Sequence, residues 1–454
     1  MLLGSFASLA GFFITTVLLA KILEPKTLGI LLAAEAFVGI FIYLFDFGFR
    51  NSLLKTVNYK SDEFDLKQRL GSSMVSAFII KTAIIIPTSL LIILIAKFSS
   101  FDQLTFKLIL LFILTFALDS YTKIFGIARR VLGQFKLTAV INGLNKFIRL
   151  GAILFVLLIL KASILTLVQF YVLSSALKLL IAALTTLRLV KPNFKNLNLL
   201  DTFKESFSYG LYDFIEDSQN KIDRISLNYL IGPSAVAFYS VPSKLNRVIK
   251  QIPLTVQRVF LPSLHENNAL QASNYQLLSM LSKLLSLMGV VAFGAIFYFS
   301  KPVLMLLFAD KYTSSIEIAP LFSFLALFWL YDTVPNMVLA SQHRHQTRIV
   351  TLAILTCLNI TLNIVLIPKL GLVAAVYSTI LVNLIKLSVF TFASRQDLSY
   401  KVSFQLLILI PVVFFVKYWV FILVFLIYII TLKVVSIKEM KLLLKTFKRD
   451  GKVK

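Results

Sequence analysis

Asp213, Asp217, Lys221, Arg224 and Asn228 follow one another at helical spacing along a single stripe, with Glu216 and Asn220 beside it. Asp217 and Lys221 are four residues apart and suited to an ion pair. The next apolar stretch carries Lys244, Arg247, Lys250, Gln251 and Arg258, of which the last four share a face. Asn142, Asn145, Lys146 and Arg149 occupy i, i+3, i+4 and i+7 of an earlier helix. Glu35, Tyr43, Asp46 and Arg50 line one side of another, and Lys81, Asp119 and Lys123 stand in two more. Such groups can pair with one another, bind an anion, or exchange a proton.

Each has a plainer reading. Long side chains near the ends of membrane spans snorkel to the headgroups, which is the expectation for Lys123, Arg50 and Arg258. Lys81, Arg149, Arg224 and Arg247 lie deeper and are expected to line a hydrated cavity. The acids Asp46, Asp119, Asp213, Asp217 and Glu35 are candidates for ion coupling, yet each serves equally as the static partner of a nearby cation. The stripe from Asp213 to Arg224 could also belong to a solvated interfacial helix, although the apolar segment 225–230 alone is too short to cross a bilayer.

The elements that must position these residues follow from composition. Of 454 residues 58% are hydrophobic and 15% charged, more apolar surface than a water-soluble fold can bury. Apolar runs of the length a bilayer requires recur about 14 times with short polar breaks, and they are continuous rather than alternating. The expected fold is an all-α polytopic membrane protein of about 14 transmembrane helices. The net charge of +25 does not mark a nucleic-acid-binding module, because the basic residues punctuate the loops. With Met1 in the cytoplasm, roughly 24 basic residues fall in inward segments and about 7 in outward ones, so both termini are expected to be cytoplasmic. The first span begins without a basic region and no small-residue cleavage site follows it, so it reads as retained.

The organisation expected is an N-terminal six-helix lobe (1–190), a cytoplasmic linker (191–205), a second six-helix lobe (206–395), and two further spans with a basic tail (396–454). Lys191-Pro192-Asn193 opens the linker, where the proline breaks helical continuity. Pro-bearing hairpins at Glu24-Pro25 and Gly232-Pro233 join the first and second spans of each lobe, as a parallel duplication around a central cavity would place them. Cys357, the single cysteine, excludes an intrachain disulfide and reads as packing. The three histidines form no metal-ligand pattern, and no phosphate-binding loop of the GxxxxGK[ST] type occurs, so neither metal nor nucleotide cofactor is expected.

Ala20-Lys21-Ile22-Leu23-Glu24-Pro25-Lys26-Thr27-Leu28-Gly29-Ile30, followed by Asp46-Phe47-Gly48-Phe49, resembles the opening of bacterial Wzx-type polysaccharide flippases, which share a superfamily with the multidrug and toxin extrusion proteins. Ile222-Asp223-Arg224, Gly232-Pro233-Ser234-Ala235-Val236, Tyr239-Ser240 and Leu261-Pro262-Ser263-Leu264 are similar to the stretch opening the second lobe there. Leu366-Ile367-Pro368-Lys369-Leu370-Gly371 resembles a later signature, with Ala374 where glycine is usual. The likeness runs over nearly the whole chain and rests on the order of elements.

The resemblance implies a non-enzymatic flippase in the bacterial cytoplasmic membrane. Its substrate would be an undecaprenyl-diphosphate-linked oligosaccharide, moved by rocking of one lobe against the other and coupled to H+ or Na+. Polysaccharide polymerases and glycosyltransferases are implied as associates. A diphosphate needs a cationic path, which Arg224, Arg247, Lys250, Lys146, Arg149, Lys81 and Lys221 could supply. Tyr209, Tyr212, Asn220 and Asn142 offer stacking and hydrogen bonding to sugars. A multidrug cation antiporter should instead have a lumen dominated by acids, and a membrane-embedded polymerase or glycosyltransferase should carry a substantial loop. A lipid-II-type flippase shares the same architecture.

Overall fold

The computed structural model describes residues 2–46, 63–99, 101–195, 197, 199–266, 272–342 and 344–394. Among them every regular element is helical. The expected spans near 403–417 and 419–436, the basic tail, Arg50 and His343 lie outside the described residues. So do the side chains of Tyr209, Tyr212, Asp213, Asn220, Arg258, His265 and His345.

The chain divides into two compact units, 1–237 and 238–454. In the first, α1 (Leu2–Ile22) turns at Glu24 into α2 (Pro25–Ile40), whose first position is a proline that supplies a fixed φ where no N–H is needed. The helix is interrupted at Phe41 and resumes as α3 (Ile42–Asp46). Then come α4 (Glu63–Phe98), α5 (Gln103–Val131), α6 (Phe135–Ile153, extended by a wider turn Leu154–Ile159), α7 (Ile164–Leu187) and α8 (Leu199–Leu230). By its contacts α8 belongs with this unit, packing against α2, α3 and α4. The segment after α7 is tied to the start of α4, where Ser72 Oγ donates to the Lys195 carbonyl at 3.0 Å.

Helix α9 (Pro233–Glu266) begins at the end of the first unit and runs into the second. There follow α10 (Ala272–Phe308), α11 (Thr313–Ile318), α12 (Phe322–Tyr331), α13 (Thr333–Ser341), α14 (His345–Leu370) and α15 (Leu372–Ser394). The membrane-length segment Thr313–Ser341 is thus a broken one. Pro335 has no N–H to give the Tyr331 carbonyl, and the break falls at Asp332. Leu330, Val334, Met337 and Val338 put one face of α12 and α13 into a core with Leu277, Leu278, Leu281 and Leu285 of α10 and Phe260 and Leu264 of α9.

Eight segments among the described residues are long and apolar enough to cross a membrane, and α8 and α9 are not among them. Their charges lower hydropathy, but 32 and 34 residues give helices roughly 48 and 51 Å long, ample for a bilayer. Cys357 is exposed on α14, which corrects the expectation that it packs internally.

Candidate functional site

The break at Phe41 sets the direction of α3 and places Asp46 at its end, where a carboxylate meets cations from α4 and α5. Lys81 of α4 is 2% exposed, and its amine lies 3.3 Å from Asp46 Oδ1. The same amine donates to the Ser120 carbonyl at 2.9 Å and reaches Ser120 Oγ at 2.8 Å. Ser120 Oγ in turn stands 3.0 Å from Asp46 and 2.9 Å from the Phe45 carbonyl. Lys123, one turn along α5, pairs with the other oxygen of Asp46. Lys123, for which snorkelling is expected, is half exposed and makes this pair as well. One carboxylate here serves two ammonium groups.

A second centre starts at the adjacent residue of α5. Successive helical residues point about 100° apart, so Asp119 faces α6 and α7 while Ser120 faces α3 and α4. Arg149 of α6 donates to Asp119 Oδ2 at 3.0 Å and Lys178 of α7 to Oδ1 at 3.2 Å. The guanidinium also donates to Ser175 at 2.6 Å and Ser174 at 3.3 Å, and lies 5.4 Å from the centre of the Tyr171 ring. Again there are two cations on one acid. Asp46 and Asp119 are both therefore held as partners of fixed cations.

On α8 the stripe splits by depth. Asp217 and Lys221 form the pair their spacing suggests, and Lys221 also donates to the Gly39 carbonyl of α2 and lies 5.9 Å from the Tyr43 ring centre. Gly39 leaves room for this approach, since an added Cβ would stand 3.0 Å from the end of the Lys221 chain, which would have to shift. Arg224, 2% exposed, is different. Its Nε and Nη2 are buried without a hydrogen-bond partner, and no ion pair joins it to a carboxylate among the described residues. A buried unpaired guanidinium is costly, whereas a bidentate oxyanion would satisfy it.

The remaining residues of the expected path differ in exposure and in unit. Asn145 is buried, but Lys146 and Asn142 on the same helix are exposed. Glu35 is half-buried on α2. Arg247 and Lys250 belong to the second unit, where Lys250 lies 5.5 Å from the Trp329 ring centre. The sequence reading passed over Ser120, Tyr171, Ser174, Ser175 and Lys178, which complete the two acid centres. It also passed over a polar column in the second unit. Lys386 of α15 pairs with Asp332 at 2.8 Å, Arg348 of α14 donates to Asn336 at 2.9 Å, and Asn359 and Asn363 are fully buried. Asp332 and Lys386 are lone charges in apolar runs, a signal visible in sequence but outweighed by the clusters at i+3 and i+4.

No group of three or more His, Cys, Asp or Glu residues that could hold a metal ion occurs among the described residues.

Comparison with known proteins places this geometry. Residues 1–268 match the family described as polysaccharide biosynthesis protein. An uncharacterized membrane protein of Methanocaldococcus jannaschii, MJ1068, is 27% identical over 222 residues, 46% of this chain and 43% of that protein, so the match spans under half the length of that relative. Among solved structures, the lipid II flippase MurJ in an inward closed conformation is similar with a TM-score of 0.73 at 16% identity, covering 98% of this chain and 100% of that one. An inward-facing multidrug resistance MATE family transporter of the MOP superfamily is similar with a TM-score of 0.64 at 14% identity, over 86% and 95%. A MOP superfamily transporter from Pyrococcus furiosus, for which reverse polarity of the binding pocket suggests a different function, follows with a TM-score of 0.56 at 13% identity, over 87% and 92%. The chain belongs to the polysaccharide biosynthesis protein family, a multi-pass membrane protein with the helical transporter fold of MurJ and MATE proteins.

Proposed function

We propose that the protein is a flippase that carries undecaprenyl-diphosphate-linked oligosaccharide repeat units from the cytoplasmic to the outer leaflet, by alternating access coupled to an ion gradient. Family membership supports a role in polysaccharide biosynthesis, and the fold supports transport rather than bond-making chemistry. Both termini are assigned to the cytoplasm on the loop charges.

The observation that carries the reading is Arg224. Lys81, Lys123, Arg149, Lys178 and Lys221 are paired with Asp46, Asp119 and Asp217, and Arg129 is held by hydroxyl and carbonyl oxygens, whereas the Arg224 guanidinium is buried with Nε and Nη2 making no hydrogen bond among the described residues. Diphosphate oxygens match its planar fork. Two cations on Asp46 leave an excess of positive charge at that centre, which favours an anion over the organic cation a multidrug antiporter would hold. The other expected path residues of the first unit, Lys146, Arg149, Lys81 and Lys221, would act as surrounding field, and Arg247 and Lys250 are path candidates of the second unit. Tyr209, Tyr212, Asn220 and Asn142 would contact sugars.

Replacing Arg224 by Ala is expected to abolish surface polysaccharide in a complemented deletion strain while leaving the protein in the membrane fraction at normal level. Wild-type export from Arg224→Ala would sink the anion-path reading. Rescue of a strain lacking its lipid II flippase, rather than of polysaccharide export, would redirect the substrate to lipid II.

A further inference from the structure

A cavity of about 500 Å³, a size at which ligand pockets are common, lies wholly within the second unit, between the last third of α10, the short helix α11 with the turn after it, and the start of α15. Tyr298 and Lys301 of α10, Glu317 of α11 and Tyr377 of α15 line it, and the rest of its lining is apolar. Lys301 and Glu317 are exposed, and among the described residues neither forms an ion pair with the other or with any third group. The surface around the cavity is suited to lipid. Leu306 is 86% exposed, Met305 and Leu381 are exposed as well, and α10 and α15 both contain segments of membrane length.

Two plainer roles leave part of this arrangement unexplained. A lysine near the end of a span snorkels to the headgroups, but snorkelling gives no task to an acid on another helix that faces the same cavity. A structural ion pair would join the two groups, and they are not joined. Opposite charges beside a medium of low dielectric attract strongly when their side chains can meet. Here they face one cavity apart, which suits a ligand that carries both signs.

We propose that this cavity binds the headgroup of a zwitterionic phospholipid, a phosphate linked to a primary ammonium. Lys301 takes the phosphate and Glu317 the ammonium, each by a charge-assisted hydrogen bond. The Tyr298 and Tyr377 rings flank the headgroup, as tyrosines do at the level of a bilayer where one end of the side chain is apolar and the other wet. The acyl chains lie along Met305, Leu306 and Leu381. A purely anionic headgroup satisfies Lys301 but leaves Glu317 without a cation, so the acid sets the preference and the lysine the affinity. The bound lipid bridges α10, α11 and α15 at the end of the unit where they meet.

The test is a competition. The full-length protein, purified in a mild detergent, is mixed with equal amounts of dioleoyl phosphatidylethanolamine and dioleoyl phosphatidylglycerol, and its lipid adducts are weighed by native mass spectrometry. The ethanolamine lipid is expected to be favoured about tenfold, the factor one charge-assisted contact supplies. Glu317→Gln should bring the two lipids to parity with the glycerol lipid bound as before, and Lys301→Gln should weaken both. Equal binding or a glycerol preference in the wild type overturns the proposal, as does a preference that survives Glu317→Gln. Equal competition by glycerophosphoethanolamine, which has the headgroup without the chains, overturns the assignment to a membrane lipid. Both substitutions fall on exposed side chains, a monodisperse elution peak establishes folding, and either variant decides the matter if the other does not fold. No transported substrate is present, so failure of the flippase reading leaves this outcome untouched.

Discussion

The Lys81 amine lies 3.3 Å from Asp46 Oδ1 and is almost wholly enclosed, with Ser120 supplying two further oxygen contacts. Three helices, α3, α4 and α5, therefore meet at one carboxylate. Removing one partner of a buried pair leaves an uncompensated charge, so Lys81→Met is expected to destabilise the protein by about 3–5 kcal/mol. The double variant Lys81→Met with Asp46→Leu should recover most of the loss, measured as the midpoint of thermal unfolding in detergent. Equal loss in the single and double variants would mean that the amine acts by packing alone.

Asp119 and Asp46 are each paired with two cations from other helices. Asp119→Asn should lower the amount of folded protein, because Arg149 and Lys178 lose their common partner. Export by the protein that survives should be retained, measured as surface polysaccharide per unit of membrane protein. Loss of export at undiminished stability in Asp119→Asn would instead place Asp119 in the transport path.

Gly29 on α2 faces the backbone of Pro233 so closely that a methyl group would collide with the Pro233 carbonyl. Backbone cannot rotate away as a side chain can. Gly29→Val is expected to cost at least ~1–3 kcal/mol by overpacking, seen as reduced monodisperse yield after solubilisation, whereas Gly143→Ala, with open space around it, should be neutral.

Arg129 is 1% exposed and ties three helices together without a carboxylate. It donates to Thr186 at 2.7 Å, to the Ala182 carbonyl at 2.9 Å, and to Thr138 at 3.3 Å. Arg129→Met keeps the volume but leaves those acceptors without their donor, at a cost on the order of 3 kcal/mol. The expected phenotype is a lower unfolding temperature with export retained in the protein that survives. Loss of export at undiminished stability would instead place Arg129 in the path.

The Pro-bearing hairpins were legible because proline and glycine have conformational rules of their own. Pro25 and Pro233 each open a helix, and Gly232 adopts a φ of +124° that suits glycine alone. The Asp217–Lys221 pair was legible for the same reason, being local to one helix. Lys178 was not legible as the partner of Asp119, because 59 residues separate them and only the packing of α5 on α7 closes that distance.

By itself the sequence determined the solvent and the secondary structure. Long apolar runs need lipid, lipid demands internally satisfied helices, and charges placed every third or fourth residue mark one face of each. Tertiary structure decided which of those charges are spent on one another. Asp46 and Asp119 are each claimed by two cations from other helices, Asp332 by a lysine from α15, and Arg224 by no carboxylate among the described residues. Pairing depends on distances across helices that no local spacing encodes, and in a medium of low dielectric those distances decide whether a charge stays fixed or is left to bind a ligand.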